Sequence, residues 1–213
     1  MAIRNRLTRR FLFTGGATAL AVGASAGVAL AVAITFSISP GGAITAKAGT
    51  TTLKDTNTGT VLTCTSSSSS GTLKSGHGIS GTNLGSISKL SFSGCTGPLG
   101  LTFTVTNSHF PWTLSGTAFN ATSGVTTGFI SGIHSKLSGP ACTALVDGTG
   151  ATANNGKVKV TYTNGTGKLK VLTTGGNLHV YNVVGCAGLI HSGDATTFSG
   201  TYTVSPKQKI TSP

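Results

Sequence analysis

Along most of this chain the apolar positions recur every second residue. Leu101-Thr102-Phe103-Thr104-Val105-Thr106 alternates without interruption, as a strand does when one face is buried and the other meets water. Phe110, Trp112 and Leu114 share one such face, and Phe129, Ser131, Ile133, Ser135 and Leu137 share another. Phe198, Gly200, Tyr202 and Val204 alternate with Ser199, Thr201 and Thr203. No segment sustains a helical period in helix-forming residues, and Gly, Asn-Gly and Ser-Gly punctuation separates runs of about five to nine residues. The pattern predicts an all-β domain, an antiparallel β-sandwich or alternatively a closed β-barrel. Residues 66–70, all serine, lack any apolar period and read as a flexible loop.

The clearest hairpin joins Lys157-Val158-Lys159-Val160-Thr161-Tyr162-Thr163 to Lys168-Leu169-Lys170-Val171-Leu172 through Asn164-Gly165-Thr166-Gly167. Pairing Thr163 with Lys168 turns Val158, Val160, Tyr162, Leu169 and Val171 to the core and sets Lys170 opposite Thr161. Lys157, Lys159, Lys168 and Lys170 then share the outer face, and the register sets Lys beside Thr rather than opposite another Lys, which avoids a like-charge pair. They are candidate anionic-polymer-binding residues; the competing role for the same row is to keep an exposed strand from aggregating. Trp112 has the shape of a carbohydrate-stacking platform, but its phase with Phe110 and Leu114 assigns it to the core.

The amino terminus breaks the alternation. Residues 1–10 are basic and residues 11–36 carry no charge and are rich in Ala, Val, Leu and Gly, the pattern of a signal peptide. A hydrophobic signal-peptide helix is therefore expected ahead of the β domain. Thr8-Arg9-Arg10-Phe11-Leu12-Phe13 resembles a twin-arginine motif, although the cysteines below sit more easily with the general secretory route. Small-x-small cleavage patterns end at Ala33, Ala43 and Ala48, and the Pro40-Gly41-Gly42 break favours Ala43. The expected division is a leader or N-terminal membrane anchor over 1–43 and one extracellular domain over 44–213. The mature chain is expected to be secreted or at the cell surface, or else anchored by an uncleaved helix with its arginines on the cytoplasmic side.

Charge sharpens the picture. All four arginines (Arg4, Arg6, Arg9, Arg10) precede the apolar stretch, so the remainder carries eleven Lys against three Asp, a net +8 of the whole chain's +12. Such a surface favours an anionic cell-wall polymer or a membrane surface as partner. The lack of Arg argues against specific nucleic-acid reading, where bidentate contacts to bases are the rule. No protein partner is indicated. Cys64, Cys95, Cys142 and Cys186 make an even count in an exported chain, so two disulfides are expected. Of the three possible pairings, Cys64–Cys95 with Cys142–Cys186 is preferred, because Gly94-Cys95-Thr96-Gly97 and Gly185-Cys186-Ala187-Gly188 look like equivalent positions in two halves. With no two cysteines close and five scattered histidines, neither a metal site nor a cofactor is expected.

The basic leader, the Trp112 strand, the two Gly-Cys-x-Gly motifs, Val160-Thr161-Tyr162-Thr163-Asn164 and the carboxy-terminal Tyr202-Thr203-Val204-Ser205-Pro206 together resemble a group of exported actinobacterial proteins of unknown function. The resemblance spans most of the mature chain. It implies secretion and a β-rich fold and brings no catalytic residues. Motif matches to chemistry fail on context: Gly23-Ala24-Ser25-Ala26-Gly27 lies in the leader, and Gly76-His77-Gly78-Ile79-Ser80-Gly81 has no βαβ unit around it. A hydrolase would draw on His191 and Asp194, or His109 and Asp147; paired-carboxylate chemistry is disfavoured by three well-separated Asp and no Glu. The chain is expected not to be an enzyme. It is expected to be a noncatalytic β-module, with a small-ligand carrier as the alternative and a secreted hydrolase as the least favoured reading.

Overall fold

The structure, a computed structural model, describes residues 34–213; the expected signal-peptide helix lies outside the described residues. Thr, Ser and Val in alternation suit a pleated, half-buried surface, and Gly and Asn supply the turns between runs. Fifteen strands result among the described residues. The first seven are β1 (Thr35–Ser39), β2 (Gly42–Ala48), β3 (Thr51–Asp55), β4 (Val61–Leu73), β5 (Gly76–Ser80), β6 (Gly85–Thr96) and β7 (Thr102–Ser108). Then come β8 (Trp112–Asn120), β9 (Val125–Gly139), β10 (Cys142–Asp147), β11 (Gly156–Thr163), β12 (Lys168–Val171), β13 (His179–Gly185), β14 (Thr196–Ser205) and β15 (Lys209–Thr211). The fold is all-β and antiparallel throughout its pairings.

The large sheet returns on itself. Pairing passes from β9 through β11, β12, β14, β2, β4, β6 and β7 back to β9, so the strands form a ring. Two further strands complete the pairing along the long ones: β3 pairs β14 and β4 beside β2, and β8 pairs β6 and β9 beside β7. Inward-facing side chains of this ring build the core, with Trp112 2% exposed and Leu114, Ile130, Val158, Tyr162 and Tyr202 also buried. Trp112 stacks on Phe110 at 4.7 Å, the core role its phase implies.

The β11–β12 hairpin has the register expected from its loop: Thr163 faces Lys168, Tyr162 faces Leu169, Thr161 faces Lys170 and Val160 faces Val171. Both disulfides also pair as preferred, Cys64–Cys95 and Cys142–Cys186. The first staples directly opposed residues of β4 and β6. Stable bridges of this kind belong to an oxidising compartment.

Two local readings need correction. Residues 66–70 are not a loop but the middle of β4, hydrogen-bonded between β2 and β6. A serine run makes a good strand here because the hydroxyls find partners, Ser67 with Tyr202 Oη at 2.9 Å and Ser68 with Ser91 at 2.9 Å. Phe129 and Ser131 do not share a face with Ile133, Ser135 and Leu137. A bulge at Gly132, with φ of 89°, inserts one residue into β9, so Thr126 and Ile130 point inward before it and Ile133, Ser135 and Leu137 after it. The strand β2, Gly42–Ala48, spans the expected leader boundary after Ala43. Residues 34–43 belong to the folded body: β1 pairs with β5 and β15, and Phe36, 0% exposed, fills the space left by Gly81 and Gly116.

Candidate functional site

The ring's alternation sends apolar residues inward and leaves lysine and hydroxyl side chains outside. Val158 and Val160 are buried, so Lys157 and Lys159 of β11 face outward, half-buried; Lys168 and Lys170 of β12 are exposed beside them. Thus the structure brings the four sequence-predicted lysines onto one outer face. Two further lysines, which the hairpin pattern could not include, extend it. Thr203 of β14 lies between Lys168 and Lys47 of β2, each its direct cross-strand partner, and Lys54 of β3 stands opposite Thr197 of β14. Their local signal was the alternation Ala46-Lys47-Ala48 and Leu53-Lys54, but only the strand order places them next to the hairpin. Hydroxyls fill the rows between: Lys168 Nζ donates to Thr203 Oγ1 at 2.6 Å, and Thr52 and Ser199 bond at 2.7 Å. Lys157 Nζ sits 4.9 Å over the Phe129 ring, which the bulge has turned outward.

The chain's three carboxylate side chains take no part in this face. Asp55, Asp147 and Asp194 are 3%, 0% and 8% exposed. Asp147 organises the connection from β10 to β11: Oδ1 accepts the N–H groups of Gly148 (2.6 Å), Asn155 (3.0 Å) and Gly156 (3.2 Å). Its Oδ2 accepts from Asn154 N (2.9 Å) and His134 Nδ1 (2.8 Å). Burial alone would raise its pKa, but His134 and the backbone N–H groups together hold it below the ordinary carboxylate value. Asp194 Oδ2 accepts His191 N at 2.7 Å and its Oδ1 accepts Asn57 Nδ2 at 3.1 Å. Its pKa too is lowered against the opposing effect of burial, by the His191 backbone, the Asp55 carboxyl and the His191 ring. Among the described residues no lysine lies within ion-pair distance of a carboxylate; both ion pairs are His–Asp.

The Asp residues are less separate than the sequence suggests. β3 and β14 are neighbours, with Asp55 opposite Thr196, and this places Asp55 near enough to Asp194 to help lower its pKa. Asp55 and Thr196 also line a small cavity of about 50 Å³, otherwise walled by side chains such as Leu62, Phe103 and Val180. Asp55 Oδ2 and Thr196 Oγ1 are buried there without partners.

The hydrolase candidates arrange as follows. His191 and Asp194 form the turn expected of them, with Nδ1 and Oδ2 3.3 Å apart. His109 does not meet Asp147 directly; it packs edge-on against His134 at 4.6 Å, and His134 holds the aspartate. His134 escaped the sequence reading because only the pairing of β10 with β9, Val146 opposite Ser135, brings Asp147 beside it. A triad needs a nucleophile on the histidine that the carboxylate orients. The hydroxyls here bond other histidines, Ser108 to His109 (3.1 Å) and Ser37 to His77 (2.8 Å).

Inside the ring lies a cavity of about 110 Å³ lined by residues from nearly every ring strand, none of them Lys, Asp or His. Several inward apolar side chains, including Leu53, Leu90, Phe92, Val105 and Phe198, remain only half-buried around it. Left empty, such a volume costs roughly 2–3 kcal/mol of stability at about 24 cal/mol per Å³. No protein-family model, no curated protein and no solved structure matches the chain.

Proposed function

We propose that this protein is a noncatalytic module of the cell exterior, held on an anionic envelope polymer by the lysine and hydroxyl face of β11, β12, β14, β2 and β3. The observation that carries this reading is the burial of all three carboxylate side chains, which leaves lysine as the strongly charged side chain on the surface of the described residues. Strand geometry spaces the amines regularly. Lys168 and Lys170 are two residues apart on one strand, about 7 Å, and Lys168 and Lys47 are two strands apart, about 10 Å. Flexible ammonium groups at that spacing suit a chain carrying one anionic group per repeat, with Thr and Ser hydroxyls bonding between charges. Both disulfides fit an exported protein. The noncatalytic part of the reading is supported by the histidine geometry, since no hydroxyl among the described residues bonds a histidine that also holds a carboxylate.

The test is retention on a phosphate-bearing polyanion such as phosphocellulose. Changing Lys157, Lys159, Lys168 and Lys170 to Gln is expected to lower the salt needed for elution and to weaken low-salt binding. At about 1 kcal/mol per lysine near an anionic surface, the loss is roughly a hundredfold or more. Changing Lys74, Lys89, Lys136 and Lys209 to Gln removes the same charge from other positions and is expected to have a clearly smaller effect. Equal effects of the two sets would reduce the face to bulk charge, and unchanged retention of the first would remove the proposal.

A further inference from the structure

The interior cavity has properties that the lysine face does not explain. It is apolar, and no Lys, Asp or His lines it, so a charged ligand would have to shed its hydration with nothing to replace it. Most polar groups on its wall already have partners. Ser135 donates to Asn107 Oδ1 at 2.6 Å, Asn107 Nδ2 donates to Leu90 O at 2.9 Å, and Tyr202 bonds Ser67. Ser69 has no side-chain hydrogen bond and is half-buried; Thr51 is the fully buried exception. It is 1% exposed and lines the cavity, yet its Oγ1 is buried without a hydrogen-bond partner. A buried hydroxyl left unbonded is destabilising, and a group placed in the cavity can satisfy it.

We propose that the cavity binds a small neutral, largely apolar molecule carrying one hydroxyl or carbonyl, of about the size of a single substituted ring, with its polar group on Thr51 Oγ1. An apolar protein cavity of about 150 Å³ accepts benzene, so a cavity of about 110 Å³ admits a ligand of that class only if its half-buried walls shift outward on binding. Leu53, Leu90, Phe92, Val105 and Phe198, which point inward but are not fully packed, are the side chains that would close on it. The carboxyl end of a fatty acid is excluded from this wall by the same lack of cations. The inference is independent of the envelope reading, because the cavity lies inside the ring and the lysines outside it; either can fail alone.

Trp112, the chain's single tryptophan, lines the cavity and reports its occupancy. The experiment titrates the disulfide-intact protein with p-cresol and with toluene, followed by calorimetry and by Trp112 emission. Both are expected to bind saturably with a change in emission, and p-cresol more tightly. In Thr51→Val, p-cresol is expected to weaken by roughly two- to tenfold, the worth of one neutral hydrogen bond, while toluene binds no more weakly than before. Val105→Phe, which extends a half-buried wall residue into the space, is expected to abolish both. Absence of saturable binding to the wild type, wild-type binding by Val105→Phe, or an unchanged p-cresol to toluene ratio in Thr51→Val would each overturn the proposal. Matching melting temperatures establish that a variant is folded, and either variant alone suffices to decide.

Discussion

Asp147 shows how one side chain in this fold replaces several. Its two oxygens collect four backbone N–H groups and one imidazole, and the eight-residue connection from β10 to β11 closes around them. Asp147→Asn keeps the shape but substitutes a donor for one acceptor and removes the charge, so a loss of about 3 kcal/mol is expected in urea unfolding. The pH dependence follows from the direction of the shift. With the folded pKa below the unfolded value of about 3.9, the carboxylate's contribution is complete above pH 4 and is lost as the pH falls through the folded value. The stability of Asp147→Asn should therefore fall less than that of the wild type below pH 4; parallel curves would show that Asp147 is not the group responsible. Tyr202, its phenol pushed up to about 12 by burial despite a hydrogen bond to Ser67, should stay protonated in an absorbance titration to pH 11. The Asp55–Asp194 approach was not legible in the sequence, because it depends on β3 and β14 being neighbours across most of the chain's length. Asp55 Oδ2 and Thr196 Oγ1, unpartnered beside a cavity of about 50 Å³, define a place where an ordered water is expected in a high-resolution crystal structure.

At the level of elements, alternation was a sound guide wherever a strand kept one phase. The β11–β12 hairpin could be registered from its loop length and its Val and Lys positions, and β14 could be faced from Phe198 to Val204 for the same reason. β9 could not, since a single inserted residue reverses every side chain beyond it. Gly132 makes that reversal, and its φ of 89° is a conformation that a side chain resists. Gly132→Val is expected to cost about 2 kcal/mol in the urea midpoint although the added Cβ would meet only ordinary contacts with Trp112. A cost near zero would mean that the bulge accommodates a side chain freely. The serine run was misread for a different reason: its apolar neighbours are supplied by β2 and β6 rather than by its own sequence. The disulfides span 31 and 44 residues, so loop entropy assigns each about 4 kcal/mol, and reduction is expected to bring the unfolding midpoint down sharply.

Over the whole molecule, the sequence carries the fold class and the cationic surface, and the strand order supplies the rest. Nothing in a period of two says which strands are neighbours, so the alternation allows a closed barrel beside a sandwich without choosing between them, and it cannot add Lys47 and Lys54 to the hairpin face. The amino-terminal boundary also becomes physical. β1 contributes Phe36 and Ile38 to the core, so a chain beginning at Ile44 would lose two buried apolar side chains together with the central strand of the β15–β1–β5 sheet. Such a chain is expected to unfold at markedly lower urea than one beginning at Ile34, and of the three small-x-small patterns only the one ending at Ala33 leaves β1 whole.

The measurement that bears most directly on the envelope reading is the distribution of the protein in its producing cells between envelope and culture medium, before and after a high-salt wash. It is made for the wild type and for the variant with Gln at the four hairpin lysines, with intact masses recorded for both fractions. The account predicts wild type retained at low salt and released by salt, with an amino terminus at or before Ile34, and the variant found mainly in the medium with the same mass. Wild type free in the medium at low salt, or a variant retained as firmly as the wild type, would contradict it.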